Sequence, residues 1–331
     1  MNFKKIFCLM FLFSTFNVNS FGLAKSQKAT SIDIAGKGIG ARLHQPIAKE
    51  IGISAKFINT SDTINKPSDT LIIATPPQKH IGCLIWAVSR YKKILCEKPA
   101  AISLSYISKL ENYIEKNNID SQIRVNYQLR FHPIFKKMSE FTKNNKIKNL
   151  VITYKSNFGN GKPDKTWKES IETGGGIIFS ILPHILDAIN FLDIDIQNKP
   201  TWFKTNDIEN IPIKNINICF NESKCNIPTV LIDSDVSTNY DEFTFKFETE
   251  NGTQKIFDLI ENGQVSSKNN RYDNGYLLSK NEYSFWRSCF KNLLSTFLYD
   301  IDDHRLAKIS DAKKVLQICD FLTENLNSKQ N

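Results

Sequence analysis

Lys98 is the first residue whose type and position could do chemistry. It stands in Cys96-Glu97-Lys98-Pro99, directly after the short apolar run 94–96. A lysine just beyond a buried strand, fixed by a following proline, can direct its ammonium at a substrate oxygen, and Glu97 can help to hold it. A surface lysine at a turn fits the same residues, so this motif alone assigns no catalytic role.

The second candidate is a histidine on a predicted helix after a glycine run. Gly174-Gly175-Gly176 precedes an apolar segment in which His184 and Asp187 are three residues apart. This spacing predicts one helix face, where the carboxylate can orient the imidazole, although a histidine that only packs in the core is the alternative. Of the five histidines, His304 lies in a charged surface run, and the other three have no comparable acidic neighbour in sequence: His44, His80 and His132. His184 is therefore the best candidate for a general acid or base.

A glycine-rich turn near the start of the chain is typical of a dinucleotide site. Gly36-x-Gly38-x-x-Ala41 follows the strand-like run 31–35 and precedes a predicted helix over 42–51. The first glycine makes the tight turn, the second lets the backbone approach the pyrophosphate, and the helix N-terminus binds the phosphates. A merely tight turn is the weaker alternative, because the strand and helix context is met.

The residues after the second predicted strand bear on the choice between NAD and NADP. That strand, 56–59, is followed by Thr60 and Ser61, and Asp62 is the only acidic residue nearby. A carboxylate at this strand tip would bind both ribose hydroxyls and repel a 2′-phosphate. Since none stands there, NADP fits at least as well as NAD and is slightly favoured.

The order of strands and helices around these groups predicts an α/β fold with a Rossmann-type parallel sheet. This sheet is trimmed, because part of the usual fold is missing. Short apolar strands at 31–35, 56–59, 70–74, 94–96 and 123–127 alternate with helices at 42–51, 81–89 and 103–116. Such strands are buried on both faces. Only about ten residues separate the second strand from the third, too few for the usual helix and strand between them. Thr75 and Pro76 then lie, like Lys98, at carboxyl ends of strands, where cofactors bind.

After about Leu150 the pattern predicts an α+β domain with an open, mainly antiparallel sheet. Phe243, Phe245 and Phe247 alternate with polar residues, and Asn251-Gly252 signals a type I′ hairpin. One helix is expected over 176–192 and closing helices over about 282–326. We therefore expect an NAD(P)-binding domain at 31–125 and a C-terminal domain at 126–331.

Length and composition exclude several classes of protein. The 331 residues fit two domains, and 41% hydrophobic with 23% charged residues is ordinary for a soluble globular protein. The formal charge of +9 comes without a dense Lys/Arg block, which argues against a nucleic-acid surface but is compatible with an anionic ligand. The seven cysteines include no Cys-x-x-Cys pair and lie mostly in apolar runs, so we expect buried free thiols and no metal site.

Residues 1–30 form an extension that does not look like part of a fold. Lys4 and Lys5, the apolar stretch 6–16 and Ala24 have the layout of a secretory signal peptide cleaved after residue 24. The stretch is too short for a stable membrane anchor. A start codon placed too far upstream is the alternative. Cofactor and free-thiol usage slightly favour the cytoplasm, with export through the signal peptide as the other location.

Five motifs together resemble the Gfo/Idh/MocA family, named for glucose-fructose oxidoreductase and inositol dehydrogenase. They are GKGIGARLH at 36–44, IIATPPQKH at 72–80, ILCEKPAAIS at 94–103, NYQLRFHP at 126–133 and GGGIIFSILPHILD at 174–187. The resemblance runs from about Ser31 to the end of the chain. It implies NAD(P)-dependent hydride transfer at a hydroxyl or keto carbon of a sugar or sugar derivative.

By motif match, the resemblance also implies roles for single residues. Lys98 and His184 would be catalytic, His184 exchanging the hydroxyl proton and Lys98 stabilising the alkoxide. The implied cofactor contacts are Gly36, Gly38, Ile39, Ala41, Thr60, Thr75, Pro76, His80, Glu97, Lys98 and Asn126. The implied substrate contacts are Arg130, Trp167, Ser180 and Asp187, with a structural role as the alternative, above all for Trp167. Ser180 stands where many members carry an aspartate, so the proton relay would rest on Lys98 and His184.

Two other functions stay open at this point. One is a cofactor-binding sensor or assembly protein without catalysis, against which the presence of both Lys98 and His184 argues. The other is a redox-dependent glycosidase or epimerase that recycles its cofactor, which no residue excludes. The expected partners are a sugar or nucleotide-sugar substrate and further copies of the chain, as a dimer or tetramer, with no nucleic acid.

Overall fold

The computed structural model describes residues 31–60, 67–119, 122–156, 173–205, 213–221, 228–260, 271–273, 276–278 and 280–327. Residues 1–30, Ser61, Asp62 and Trp167 lie outside these ranges, and so do the predictions made for them.

The first half of the described chain forms a parallel sheet of five strands. They are β1 (Ser31–Ala35), β2 (Ser54–Ile58), β3 (Thr70–Ile73), β4 (Lys93–Glu97) and β5 (Gln122–Asn126). Their order is β2-β1-β3-β4-β5, and every neighbouring pair is parallel. The inner strands are buried along nearly their whole length, as apolar strands covered on both faces must be. The predicted α/β class is confirmed, and β2 stands at the edge where the sheet is trimmed.

Helices follow the strands of this sheet and begin near its carboxyl edge. They are a π-helical turn (Gly40–His44) that runs into α1 (Gln45–Glu50), then α2 (His80–Ala87) and α3 (Leu104–Lys116). The Ser103 hydroxyl accepts a hydrogen bond from the Ser105 amide and so caps α3. The loops that carry the predicted site residues therefore gather at one edge of the sheet.

The second sheet has six strands and is mainly antiparallel, as predicted. They are β6 (Ile147–Lys155), β7 (Trp202–Lys204), β8 (Asn215–Phe220), β9 (Thr229–Asp235), β10 (Glu242–Thr249) and β11 (Gln254–Asp258). The order is β11-β10-β6-β9-β8-β7, and the central pair β6–β9 is parallel. Phe243, Phe245 and Phe247 are buried, which fits the two-residue period of β10. A separate pair consists of β12 (Arg271–Asp273) and β13 (Tyr276–Leu278).

Two helices of the second half differ from the sequence-based expectation. The strand pattern does not predict α4 (Pro133–Asn144), whose buried residues are only Phe135 and Met138. The helix expected over 176–192 is divided into α5 (Gly176–Ser180) and α6 (Leu182–Phe191). Pro183 explains the division, because it has no amide hydrogen to continue the helical bonding from α5.

The closing helices are α7 (Lys280–Tyr299) and α8 (Ile309–Asn327), close to their predicted limits. On α7, Phe290 and Leu294 pack in one buried cluster with Ile34 of β1 and Leu95 of β4. The end of the chain thus covers the first sheet, and the boundary near residue 126 stays a prediction.

The hairpin predicted at Asn251-Gly252 joins β10 to β11, but its turn is not of type I′. That type needs a positive φ at both central residues, whereas only Gly252, at +83°, has one here. The Gly252 amide donates to the Thr249 carbonyl at 3.0 Å, so an ordinary turn followed by a left-handed glycine makes the connection.

The cysteines in the described ranges are buried and free, as predicted: Cys83, Cys96, Cys219, Cys289 and Cys319. No helix within these ranges is long and apolar enough to cross a membrane.

Candidate active site

The glycine turn after β1 has room for a phosphate. Gly36 has a φ of +110°, and a Cβ there would lie 2.3 Å from the Ala74 carbonyl oxygen, so only glycine fits. A Cβ on Gly38, by contrast, would meet no atom within 4 Å. This open space lies where the helical backbone starts and its amide groups bind phosphate. The turn therefore fits the pyrophosphate of a dinucleotide.

The close contact between helix and sheet is made by Gly40, and not by Ala41 at the third position of the glycine motif. A Cβ on Gly40 would lie 2.8 Å from Cγ2 of Ile34 and 3.3 Å from the ring of Phe57, whereas Ala41 is only half-buried. The wider turn of the π-helical segment changes which residue faces the sheet.

The predicted cofactor contacts at the tips of β2 and β3 lie side by side. Thr75 Oγ1 is 3.8 Å from the Cys83 sulfur, and the Thr60 hydroxyl bonds to the same thiol. Pro76 follows Thr75 in extended backbone and leads into a short 3-10 turn. These residues border the same edge of the sheet as the glycine turn.

His80 forms hydrogen bonds with both the loop after β3 and the loop after β4. Its Nε2 lies 2.7 Å from the Thr75 carbonyl oxygen, and its Nδ1 lies 2.7 Å from the Pro99 carbonyl oxygen. The side chain is buried, and this burial lowers the pKa of the imidazole. Because both ring nitrogens are engaged by backbone carbonyls, His80 supports the two loops, and its contact with a cofactor stays a prediction.

Lys98 extends from the end of β4 to the helix pair that carries the predicted base. Its ammonium donates a hydrogen bond to the Ser180 carbonyl at the end of α5. Burial lowers the pKa of Lys98 to about 8, and the neighbouring Glu97 carboxylate opposes that shift. The structure thus brings Lys98, 82 residues away in sequence, to the glycine-led helix.

Glu97 bonds to two side chains that the sequence did not connect with it. Its Oε1 accepts hydrogen bonds from His44 Nε2 at 2.6 Å and from Asn126 Nδ2 at 2.8 Å. Burial raises the pKa of this carboxyl, but the bond and charge of His44 and the bond from Asn126 lower it more, to below its ordinary 4.5. Glu97 is therefore an ionised carboxylate that is held at Oε1 by His44 and Asn126.

His184, on α6, is buried beside aromatic rings. Its ring centroid lies 5.2 Å from that of Trp286 and 6.3 Å from that of Tyr127. Burial and the positive charge of Lys98 hold the pKa of His184 well below its ordinary 6.5, so the imidazole is neutral at pH 7. Its Nδ1 has no hydrogen-bond partner within the described part of the chain.

Asp187 does not orient His184, which corrects the expectation from their spacing. Both of its oxygens accept hydrogen bonds from Arg130, at 2.8 Å and 2.6 Å, and Arg130 also lies 3.4 Å from Asp311 of α8. Arg130 is 5% exposed and Asp187 is fully buried. A bidentate pair buried this deeply is a structural contact between elements, and the substrate-binding role of either side chain stays a prediction.

Ser180 bonds within its own helix, whereas Gly174 lets the glycine run pack closely against the first half of the chain. The Ser180 hydroxyl donates to the Gly176 carbonyl at 2.7 Å, within its own helix. Gly174 has a φ of +87°, and a Cβ on it would lie 2.7 Å from the Pro77 side chain and 2.8 Å from that of Ile102. The glycine run can therefore pack against the loops after β3 and β4 at once.

Part of the chain is similar to proteins of a known family. Residues 24–127 match the GFO_IDH_MocA family model, described as an oxidoreductase family with an NAD-binding Rossmann fold. The glucose-6-phosphate 3-dehydrogenase of Bacillus subtilis (strain 168) is 25% identical over 140 residues, which cover 41% of this chain and 40% of that protein. The match thus spans about two fifths of the relative's length.

Solved structures match over nearly the whole chain. The myo-inositol 2-dehydrogenase from Lactobacillus plantarum has a TM-score of 0.69 at 14% identity, covering 91% of this chain and 98% of that one. GenD2 from gentamicin A biosynthesis, solved in complex with NAD, has a TM-score of 0.69 at 12% identity, covering 91% and 95%. At such identities the likeness establishes the fold. Residues 24–127 are therefore similar to the Gfo/Idh/MocA family of oxidoreductases with an NAD-binding Rossmann fold.

Proposed function

We propose that the protein is an NAD(P)-dependent dehydrogenase or reductase that acts on a CH–OH group of a sugar or sugar derivative. One observation carries the proposal. The Lys98 ammonium, with a pKa of about 8, reaches the helix pair that holds the neutral imidazole of His184. A charged donor and a neutral proton acceptor at one place are what the removal of a hydroxyl proton and the stabilisation of an alkoxide require.

The first sheet would hold the nucleotide, with residues 31–125 as its domain. The backbone at Gly36, Gly38 and Ile39 would bind the pyrophosphate, and Thr60, Thr75 and Pro76 would border the rest of the cofactor. The nicotinamide supplies the hydride acceptor or donor when the cofactor is bound. Asn59 and Thr60, which follow β2, carry no carboxylate, and this supports a slight preference for NADP over NAD.

In the oxidation direction, the chain's own residues would move a proton and hold a charge. His184 accepts the hydroxyl proton at a ring nitrogen, and Lys98 donates a hydrogen bond to the oxygen that becomes negative. In the reverse direction His184 returns the proton to that oxygen. The fold holds Lys98 at the end of a strand and His184 on a helix. The pair therefore acts on a single substrate oxygen.

The substrate class is supported by the relatives and by charge. The similar proteins include one named for glucose 6-phosphate and one named for myo-inositol. The net charge of +9 is compatible with an acidic or nucleotide-linked sugar. We further propose that residues 126–331 bind this substrate and form a dimer or tetramer.

The test combines cofactor binding with a substrate panel. NADP, NAD and their reduced forms are titrated by calorimetry, and turnover on sugars, polyols, sugar phosphates and nucleotide sugars is followed by nicotinamide absorbance. We expect binding of at least one cofactor and turnover of a member of the panel. Absence of any nucleotide binding would overturn the proposal, and tight binding without turnover would favour a sensor.

A further inference from the structure

A buried network surrounds the carboxylate next to Lys98, and the proposed mechanism does not use it. Glu97 of β4 accepts hydrogen bonds from His44 at 2.6 Å and from Asn126 at 2.8 Å. The three side chains are between 0% and 5% exposed. They come from the π-helical turn, from β4 and from β5, so three elements converge on one carboxylate. Donors that converge in this way stabilise the ionised form and fix its position.

We propose that Glu97 is a positioning residue, the fixed counter-charge of Lys98, and not a ligand of the cofactor. The role rests on the proposed function, because it assigns Glu97 to the reaction through Lys98. Lys98 donates to the Ser180 carbonyl, and the negative charge of the neighbouring Glu97 opposes the loss of the Lys98 proton. A buried ammonium without a nearby negative charge loses its proton readily. Glu97 therefore keeps Lys98 charged at neutral pH.

The other groups that interact with Lys98 do not supply this negative charge. The imidazoles of His184 on α6 and His80 on α2 supply no negative charge, because an imidazole is either neutral or positively charged. On α8, burial raises the pKa of the Cys319 thiol, so the thiol stays neutral. Of the described groups that act on Lys98, Glu97 is the one that is ionised at pH 7.

His44 and Asn126 act through Glu97. His44 ends the turn that follows the glycine motif, and its ring stands edge-on to Phe290 of α7 at 5.3 Å, which fixes the plane of the imidazole. Asn126 ends β5 and uses its amide group on the same oxygen. Asn126 is thus a positioning residue, in place of the cofactor contact implied by the family resemblance.

The test compares two charge-removing substitutions. Glu97→Gln removes the buried charge but keeps an acceptor oxygen, and Glu115→Gln removes an exposed charge on α3 as the matched control. The Lys98 side chain is titrated by NMR of protein labelled with ¹⁵N-lysine, and Lys98→Arg identifies its signal. We expect the Lys98 midpoint to fall by about one to two pH units in Glu97→Gln and to stay unchanged in the control. An unchanged midpoint in Glu97→Gln would overturn the proposal.

Cofactor titration separates a counter-charge from a ligand. NADPH should bind Glu97→Gln as tightly as wild type, while kcat near pH 8 falls and recovers at lower pH as Lys98 regains its proton. Weaker NADPH binding with an unmoved Lys98 midpoint would identify a ligand and overturn the proposal. The NMR readout needs no turnover, so an inactive protein would refute the dehydrogenase function without deciding this point.

A measurement on wild type covers the case in which Glu97→Gln does not fold. The Nε2 proton of His44 should exchange slowly with water both before and after saturation with NADPH, because its bond to Glu97 persists. Loss of that proton signal on addition of NADPH would show that Glu97 turns to the cofactor, and it would overturn the proposal.

Discussion

Burial lowers the pKa of both residues proposed to do the chemistry, but it leaves them in different protonation states at neutral pH. It removes the proton from His184 at neutral pH, whereas Lys98, with a pKa of about 8, keeps its proton there. The same desolvation would have neutralised Lys98 further without the carboxylate beside it. Around neutral pH, the proposed site thus holds a neutral proton acceptor, His184, and a charged hydrogen-bond donor, Lys98.

The first prediction is the pH dependence of this pair. Above about pH 8 Lys98 loses its charge, so kcat/KM should fall on the basic side near that pH. On the acidic side activity should persist below pH 6.5, because His184 is protonated only at lower pH. In Lys98→Arg the basic fall should disappear, at reduced activity, because arginine keeps its proton. A basic fall at the same pH in Lys98→Arg would assign it to another group.

The second prediction concerns the phosphate turn. Gly38→Val should fold normally, since its Cβ meets no atom within 4 Å, but its side chain would fill the space of the pyrophosphate. We expect nucleotide affinity to fall by about 100-fold or more at an unchanged melting temperature. Gly82→Val on α2 is the control, because that site is equally open and lies outside the turn. Normal titration of Gly38→Val with the cofactor would remove this phosphate site from the account.

At the residue scale, the candidate catalytic residues could be identified from sequence, but the hydrogen-bond partners of the buried side chains could not. Lys98 and His184 follow recognisable turns, and Lys98 reaches the Ser180 carbonyl just before the helix that carries His184, but their catalytic roles stay predictions. The partner of His44 is 53 residues away and that of Asp187 is 57, so neither contact leaves a local signal. The spacing of His184 and Asp187 predicted a shared helix face, but tertiary packing turned Asp187 towards Arg130.

At the scale of elements, the pair α5 and α6 brings Ser180 to Lys98, and this gives the third prediction. The Ser180 hydroxyl donates within α5, which a carboxylate cannot do. In Ser180→Asp the carboxylate would bind Lys98 and draw it from the substrate oxygen, so we expect kcat to fall about tenfold or more. Ser180→Ala, which only removes one hydrogen bond, should change kcat much less. A clear gain with Ser180→Asp would show the site to be a weakened form of one that uses an aspartate.

The fourth prediction tests how the first sheet is held together. Asp33 on β1 is fully buried and accepts hydrogen bonds from the Ser68 amide at 3.0 Å, the Ser68 hydroxyl at 2.8 Å and the Tyr91 hydroxyl at 2.9 Å. Asp33→Ala leaves these donors unpaired and should lower the free energy of unfolding by about 2–4 kcal/mol in denaturant titration. Asp69→Ala, at an exposed site, should change it by less than about 0.5 kcal/mol. A loss below about 1 kcal/mol for Asp33→Ala would contradict the buried-contact account.

The elements themselves were largely predictable where a period or a turn signal was strong. The apolar strands of the first sheet and the alternating phenylalanines of β10 were found from sequence, since burial leaves a direct pattern. α4 was missed although Phe135, Met138 and Phe141 recur every three residues and pack on the core, and the break after Ser180 depends on a single proline. The hairpin was predicted, but its turn type depends on the φ angle of Asn251, which the Asn-Gly dipeptide does not determine.

At the scale of the whole molecule, the chain crosses between its two sheets to complete the site. Lys98 comes from the first sheet, whereas His184 comes from the helices packed beside the second. α7 returns to cover the first sheet, and the backbone of Val125 bonds to that of Ala307 near the end of the chain. The site thus depends on the two parts being held together.

The measurement that tests the central claim most directly is a double-mutant cycle on kcat/KM with Lys98→Ala, His184→Ala and the double variant. The claim is that both residues act on one substrate oxygen. Each single change should cost about 100- to 10,000-fold while cofactor binding persists. The double variant should lose far less than the product of the two losses, because the residues serve one transition state. Losses that multiply, or near-normal turnover in His184→Ala, would contradict the account.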